Sequence, residues 1–328
     1  MDTLLIKRRD VAKLLTIEEC IVAVEKAFEL RALGTAVAPG ILGIHSAGGG
    51  FHIKAGTLNL ARPYFVAKLN ANFPQNTKLF GLPTIQGIIL VSNAENGIPL
   101  AVMDSMEVTI IRTGAATAVA TKYLSRQDSS IATICGCGNQ GKISLKAIMK
   151  VRALKTVYAF DLDPSISRRF ANDLSDELHI SVVPADNLGQ AVSESHICVT
   201  CTPSNNYFIR REFVSPGTFI AAVGSDSENK QEIEPALIAS GKLVVDSLEQ
   251  CAQVGELHHA LELNIMAREN VHANIGEIIT GQKEGRTSAE EVIIFDSTGT
   301  GLQDVAAASI VYERALEKGI GMKYDFAQ

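Results

Sequence analysis

At 328 residues, 46% of them hydrophobic and 20% charged, the chain has an ordinary globular composition but is long for one hydrophobic core, so two domains are expected. A formal net charge of −6 argues against a nucleic-acid groove as the main feature of the surface, though it leaves room for a small basic pocket. The apolar run from Ile85 to Val91, broken by Gln86 and Gly87, is far shorter than a membrane span, and Met1–Ile6 leads straight into Lys7-Arg8-Arg9-Asp10 without the basic-then-apolar order of a secretory leader. A cytoplasmic protein with neither a membrane nor a nucleic-acid partner is therefore expected. Its cysteines (Cys20, Cys135, Cys137, Cys198, Cys201, Cys251) stand in apolar stretches and read as reduced, buried thiols. Cys135-Gly136-Cys137 is too tight for the usual zinc spacing, so no metal is expected.

In chain order, Thr16-Ile17-Glu18-Glu19 has the spacing of a capping box, and Ile21, Val22, Val24, Ala27, Phe28 and Leu30 follow it. This predicts a helix from Thr16 to Ala32, ended by Gly34. From Gly40 to about Met103 the pattern changes to short strands broken by Gly, Pro and Asn: Phe51–Lys54, Phe65–Leu69 and Gly87–Val91. Asn96-Gly97 between Val91 and Leu100 reads as a hairpin turn. This half is expected to be α+β with a mixed or antiparallel sheet.

Near Ser129 the pattern changes again. Ile131–Cys135 reads as a short buried strand, followed by Gly136-Cys137-Gly138-Asn139-Gln140-Gly141 and a helix through Leu145 to Val151. Strands at Val157–Asp161, Ile180–Val183, His196–Thr200, Thr218–Val223 and Lys242–Val245, with a helix at Ser165–Leu178, continue an alternation that means a parallel sheet with helices on both faces. An amphipathic helix is expected from Leu302 to Lys318, with Val305, Ile310, Val311 and Leu316 on its apolar side, Asp304 near its start and Ser297-Thr298-Gly299 just before it.

The glycine loop sits where a dinucleotide fingerprint must sit, after a strand, opening a helix, with an acidic residue twenty positions beyond its last glycine. Gly136 would make the tight turn, Gly138 would admit the pyrophosphate and Gly141 would let helix and strand pack closely. The phosphates would then lie at a helix N-terminus, where unpaired N–H groups favour an anion. Asp161 is placed to accept both ribose hydroxyls and to repel a 2′-phosphate, Asp163 adds to that repulsion, and no Arg or Lys follows until Arg168. NAD(H) is accordingly favoured over NADP(H). The alternative for Asp161, a cap for the next helix, fits Ser165 better.

Strings outside the loop then narrow the family. Phe65-Val66-Ala67-Lys68-Leu69-Asn70, Gly81-Leu82-Pro83-Thr84, Pro99–Asp104 and Ile111-Arg112-Thr113-Gly114-Ala115-Ala116 are followed in order by Gly224-Ser225-Asp226, Val245-Asp246-Ser247, Ile275-Gly276-Glu277 and Phe295-Asp296-Ser297-Thr298-Gly299. Together with the loop, and over essentially the whole chain, this resembles the ornithine cyclodeaminase/μ-crystallin family, which includes archaeal-type alanine dehydrogenases and ketimine reductases. The resemblance implies an α/β protein in which a Rossmann dinucleotide-binding domain (126–302) is inserted in an α+β substrate-binding and dimerisation domain (1–125 plus 303–328). It further implies a homodimer, with the active site in the cleft between the domains.

Members pass hydride between a nicotinamide and Cα of an amino acid or its imine, chemistry that needs cations for the carboxylate and a proton relay for nitrogen. By resemblance, Lys68 contacts the carboxylate or the imine end, Arg112 reaches the carboxylate or the cofactor pyrophosphate from the start of a helix, and Asp226 exchanges a proton with the amine or with attacking water. Besides the loop residues Gly136, Gly138, Asn139, Gln140 and Gly141, the resemblance places Thr84, Arg112, Thr113, Asp161, Thr202, Val223, Ser297, Thr298 and Gly299 on the cofactor side. Read alone, Lys68 could be a solvated lysine, Arg112 a partner of Asp104 or Glu107, and Asp226 an ordinary loop residue. His258-His259 reads as helix surface rather than as a catalytic or metal pair.

Lys54 is the informative departure. Cyclodeaminases acting on ornithine carry a carboxylate in about this region, suited to a distal ammonium, whereas His52-Ile53-Lys54-Ala55-Gly56 supplies a cation. Unless Lys54 points to solvent, it joins Lys68 and Arg112 in suiting one carboxylate or two, and it repels a distal ammonium by about 4 kcal/mol at 4 Å in an intermediate dielectric. The reading is an NAD(P)H-dependent imine reductase or L-amino-acid dehydrogenase acting on a small 2-oxo acid imine. The alternatives are an ornithine or lysine cyclodeaminase that recycles its NAD, and a non-enzymatic protein binding a cofactor and a small ligand.

Overall fold

The computed structural model describes residues 2–38 and 40–326. Two compact units divide the chain, Met1–Arg112 with Thr300–Gln328, and Thr113–Gly299. In the first, β1 (Thr3–Ile6) and α1 (Arg8–Leu14) precede α2 (Ile17–Ala32). Thr16 caps α2 in a complete capping box with Glu19, and Cys20, Ile21, Val24, Ala27 and Phe28 form its buried face. Then come β2 (Leu42–Ser46), β3 (Gly49–Asn59), β4 (Pro63–Asn72), α3 (Asn76–Phe80), β5 (Ile85–Asn93), β6 (Pro99–Asp104) and α4 (Ser105–Leu124). Gly97, with φ at +76°, turns the β5–β6 hairpin.

The second unit follows with β7 (Ile131–Cys135), α5 (Asn139–Ile148), β8 (Thr156–Phe160), α6 (Pro164–Leu178), β9 (Ser181–Pro184), α7 (Leu188–Ser193), β10 (Ile197–Thr200) and β11 (Phe219–Ala222). It continues through α8 (Pro235–Ser240), β12 (Lys242–Val245), α9 (Leu248–Val254), α10 (Glu256–Glu262), β13 (Ala273–Asn274), α11 (Ile275–Ile279) and β14 (Ile293–Asp296). The chain then returns to the first unit with α12 (Gly301–Lys318) and β15 (Met322–Tyr324).

The first unit's sheet runs β15-β1-β6-β5-β4-β3-β2 and is mixed: β1 pairs parallel with β6 and the remaining pairs are antiparallel. Because opposed residues share a face, register sorts the side chains into rows. Lys54, Lys68, Ile89 and Met103 form one row, all buried, on the face covered by α12. The neighbouring row, Leu42, Ile53, Leu69 and Ile88, faces the other way, with Leu42, Leu69 and Ile88 exposed.

The second unit is a Rossmann-type fold whose eight-stranded sheet runs β13-β12-β14-β11-β10-β7-β8-β9, parallel throughout. Its first five strands have the doubly wound order, and β14, last in sequence, inserts between β11 and β12. Arg152 closes the C-terminal turn of α4 from within this unit. It donates to the carbonyls of Thr121, Lys122, Ser125, Arg126 and Val151 and to the Ser125 hydroxyl at 2.8–3.2 Å, and burial pushes its pKa down. Arg152→Met removes this donor from all five carbonyls. Thr121 O keeps the Ser125 N–H and hydroxyl and Arg126 O keeps Ser129 N–H, so the loss falls on the carbonyls of Lys122, Ser125 and Val151. A cost of about 3–5 kcal/mol in urea unfolding is expected, since each stranded polar group costs roughly 1–3 kcal/mol.

Candidate active site

Of the predicted residues, Lys54, Lys68 and Arg112 come together, on β3, β4 and α4, around a carboxylate that the sequence reading left without a role. Lys68 Nζ donates to Asp304 Oδ1 at 2.7 Å and lies 2.7 Å from Oδ2; Arg112 Nε stands 3.2 Å from Oδ1. Lys68 is 2% exposed and Asp304 0%, so neither is a surface ion. Gln303, also buried, accepts from Arg112 Nη1 at 2.9 Å through Oε1, while its Nε2 has no hydrogen-bond partner. Two cations thus share one carboxylate before Lys54 is counted.

The electrostatics follow from that imbalance. Burial brings Lys68 down to about 7, opposed by Asp304 and helped by Arg112 and Lys54. Burial opposes ionisation of Asp304, but Lys68, Arg112 and Lys54 hold it below the usual carboxylate range. Lys54 is 7% exposed, sits opposite Lys68 in register and acts on both groups, so its side chain faces the cluster and not solvent.

For Arg112 one expectation, its place at a helix start, and one alternative, pairing with Asp104 or Glu107, are corrected. It lies in the middle of α4 rather than at a helix start, so it is held by side chains and not by a helix N-terminus. Its partner is Asp304, while Asp104 pairs with Arg8 and accepts the amides of Met106 and Glu107. Thr84 precedes β5 and accepts Phe73 N–H through its carbonyl at 2.8 Å. Thr113, in α4, is buried, and its carbonyl accepts from Thr117 Oγ1.

In the second unit the glycine loop has the shape a pyrophosphate requires. Gly136 has φ at +99°, a Cβ on Gly141 would stand 2.1 Å from Gly136 O, and a Cβ on Gly138 would meet nothing within 4 Å. No side chain caps α5 at Gly138, and Gln140 Oε1 is buried without a partner. The N-terminus of α5 is therefore open to an anion, and Asn139 and Gln140 lie in its first turn. Asp161, just past β8, accepts Cys137 N–H at Oδ2 (2.9 Å) and Asp163 N–H at Oδ1 (3.1 Å), which fixes it beside the loop. The cap of α6 is Asp163, bonded to Ser165 N–H at 2.8 Å, and not Ser165: the helix opens at Pro164, which has no N–H to offer at N1.

Asp226 follows β11, with Lys230 Nζ 2.6 Å from Oδ1. Thr202 and Val223 lie on the turns after β10 and β11, where Val223 N–H donates to Thr200 O. Ser297, Thr298 and Gly299 converge on Asp246: the two hydroxyls and the Gly299 amide donate to its carboxylate at 2.7–3.2 Å. In the sequence Asp246 is marked only as part of a family string, and nothing marks Glu232, a buried acid that accepts from Thr200, Thr202 and Gly224. No motif marks such residues; the one signal for Asp304 and Gln303 is a polar pair set among Gly301, Leu302, Val305 and three alanines.

His258 and His259 lie on α10, half-buried; His258 Nε2 stands 3.3 Å from Glu262, and the His259 ring bonds Lys230 O at 2.8 Å. Among the described residues this trio is the one group of three or more His, Cys, Asp or Glu within metal-ligand reach. All six cysteines are unpaired and, apart from the partly exposed Cys201, buried. Among the described residues no helix is long and apolar enough to cross a membrane.

Comparison with known proteins gives the family. A profile of the ornithine cyclodeaminase/mu-crystallin family matches residues 1–319. The chain is 38% identical over 327 residues to alanine dehydrogenase of Archaeoglobus fulgidus, covering 99% of each. Among solved structures it is similar to an archaeal alanine dehydrogenase dimer with bound NAD, at a TM-score of 0.95 and 38% identity, covering 99% of this chain and 100% of that one. It is also similar to Thermococcus litoralis Δ1-pyrroline-2-carboxylate reductase in complex with NADH and L-proline, at a TM-score of 0.93 and 32% identity over 98% and 99% of the two chains. With this match from end to end, the chain belongs to the ornithine cyclodeaminase/mu-crystallin family.

Proposed function

We propose that the protein is an NAD(H)-dependent imine reductase or L-amino-acid dehydrogenase acting on a small 2-oxo acid imine and its amino acid. One observation carries the substrate class: Lys68 and Arg112 share the single buried carboxylate of Asp304, with Lys54 beside them. A site built this way is short of negative charge, and a substrate carboxylate supplies it. The same charges disfavour a distal ammonium, and so ornithine or lysine.

In this reading the glycine loop, Asp161, Thr202, Val223 and the Ser297–Gly299 turn hold the dinucleotide, with Thr84, Arg112 and Thr113 completing its surroundings. When bound, the nicotinamide supplies or accepts the hydride at Cα. The chain's own residues do the rest. Lys68 and Arg112 hold the carboxylate, Arg112 being oriented by Gln303 and Asp304, and Asp226 exchanges a proton at the substrate nitrogen while Lys230 keeps its carboxylate in place.

Asp161 gives the cofactor preference a test. Asp161→Ser removes the charge that repels a 2′-phosphate. We expect the ratio of kcat/KM for NADPH to that for NADH to rise by about tenfold or more, the size of roughly 1.4 kcal/mol of lost repulsion. An unchanged ratio would remove Asp161 as the discriminating group.

The exposed row Leu42, Leu69 and Ile88, with Ile44, Leu79 and Phe80 nearby in sequence, is the face we assign to a homodimer, since an apolar patch of this kind is seldom left in water. Leu69→Lys with Ile88→Lys should yield a monomer in sedimentation. For the activity itself, the assay is NADH oxidation with ammonia and a panel of 2-oxo acids, and with cyclic 2-imino acids. Turnover with at least one is expected, and no oxidation with any would reject the reading.

A further inference from the structure

We propose that Glu232 is a positioning residue, whose buried carboxylate ties together the loops after β10 and β11 and so shapes the part of the crevice that receives the nicotinamide half of the cofactor. The inference rests on the cofactor reading above and extends it to a residue that no motif marks.

Glu232 is 0% exposed, and both of its oxygens are fully used. Oε1 accepts from the backbone N–H and the hydroxyl of Thr202 at 2.6 and 2.7 Å. Oε2 accepts from the Thr200 hydroxyl at 2.7 Å and from Gly224 N–H at 3.0 Å. An ionised carboxylate offers about four acceptor sites, so this one is saturated. Thr200 ends β10, and Thr202 and Gly224 follow β10 and β11, neighbouring strands in which Thr200 lies opposite Ala222. One side chain therefore fixes two loops at the carboxyl edge of the sheet. The approach is close enough that a Cβ on Gly224 would stand 2.5 Å from Oε2 and 2.6 Å from Oε1.

Glu232 is itself braced from behind. Its N–H and that of Ile233 donate to the two oxygens of Glu256 at 2.8 and 3.1 Å, and Leu257 N–H donates to Asp296 Oδ2 at 3.0 Å. Three buried acids thus hold backbone amides in series from β14 through α10 to the tied loops. Burial raises the pKa of each of them, a cost that two merely adjacent loops would not require.

The placement says which half of the cofactor is involved. In an open parallel sheet the ligand lies across the carboxyl ends at the point where strand order reverses, here between β7 and β10. The glycine loop follows β7 and Asp161 follows β8, so the adenosine and pyrophosphate belong to that side. The remainder extends towards β10 and β11, onto the loops that carry Thr202 and Asp226.

The test separates the two halves. In Glu232→Gln the amide nitrogen must replace one oxygen and then faces either Thr202 N–H or Gly224 N–H, so one backbone donor loses its acceptor in either orientation. Gly224→Ala disturbs the same contact from the loop side, and Thr200→Val removes one donor while keeping shape. For wild type and variants, calorimetric affinities for NADH and for ADP-ribose, which lacks the nicotinamide, are compared alongside kcat and the melting temperature. We expect ADP-ribose affinity to stay within about threefold, while NADH affinity falls about tenfold and kcat about 10²-fold in Glu232→Gln, the effect of misplacing a reactive group by roughly 1 Å. Gly224→Ala should follow the same pattern, and Thr200→Val should show a shift of about threefold in the same direction.

Parallel losses of NADH and ADP-ribose affinity would overturn the inference in favour of a general structural role, as would folded variants that match the wild type. Should Glu232→Gln not fold, the comparison of Thr200→Val with the wild type decides by the same criteria. A wild type that binds neither ligand would instead reject the cofactor reading, and the inference with it.

Discussion

Asp304→Asn is expected to lower the stability to urea unfolding by about 3–5 kcal/mol, the cost of leaving buried charges without their partner. The substitution changes almost no volume, so a loss of this size cannot come from packing. It comes from Lys68 and Arg112, which stay buried but lose the one carboxylate they share: Arg112 keeps its charge unpaired, and Lys68, without Asp304 to oppose burial, gives up its proton more readily. The pH dependence has a definite sign. The cations hold Asp304 below its unfolded value, so its contribution is present above the ordinary carboxylate pKa and is lost as pH falls through the folded one. The wild-type advantage over Asp304→Asn should therefore be full at pH 6 and vanish in strong acid. Asp173, paired with Lys142 at the surface, supplies the contrast: Asp173→Asn should cost about 1 kcal/mol or less.

Lys68→Met is expected to reduce kcat/KM for the imino acid by about 10²–10³-fold while leaving the melting temperature unchanged or higher. Removing one buried, hydrogen-bonded charge from a binding site costs about 2–5 kcal/mol of interaction. Folding pays no such penalty here, because Arg112 remains to balance Asp304 and a cation repelled by its neighbours has gone. The opposite responses of stability and activity distinguish a substrate-binding lysine from a structural one. The pKa near 7 adds a second test. Lys68 is protonated below that value, so a carboxylate ligand with no titrating group of its own, such as pyruvate, should bind to the NADH complex most tightly below pH 7. Its affinity should weaken by up to tenfold per pH unit above it. In Lys68→Met that dependence should disappear.

The locally encoded parts of this protein are readable in its sequence. Thr16 and Glu19 mark the start of α2, Asn96-Gly97 the β5–β6 hairpin, and the glycine loop the turn between β7 and α5, with Asp161 just past β8. These are local features whose physics is complete within a few residues. What escaped depends on contacts distant in sequence. Asp304 is 236 residues from Lys68, and nothing within α12 says that its carboxylate will face β4. Of the residues expected on the apolar side of that helix, Val305 and Val311 are buried and Leu316 is 43% exposed, while Asp304 and Gln303 are wholly buried, so hydrophobic periodicity does not mark this polar pair.

The strand order shows the same division. Alternating strands and helices predicted a parallel sheet, but placing β14 between β11 and β12 is a matter of topology that no segment encodes alone. Arg112 shows the same limit: the sequence places it at a helix start, with pairing to Asp104 or Glu107 as the alternative, whereas it stands mid-helix and is oriented by Gln303 and Asp304.

The central claim is net reduction of a 2-imino acid by hydride from the nicotinamide, and isotope transfer tests it most directly. NADH deuterated at C4, in each stereochemical form, is supplied with a 2-oxo acid and ammonia or with a cyclic imino acid, and the product is analysed by mass spectrometry and NMR. The account predicts one deuterium at Cα from one of the two forms, with one NADH consumed per amino acid formed. A product without the label from either form, or ammonia released from ornithine or lysine with no net NADH consumed, would contradict it.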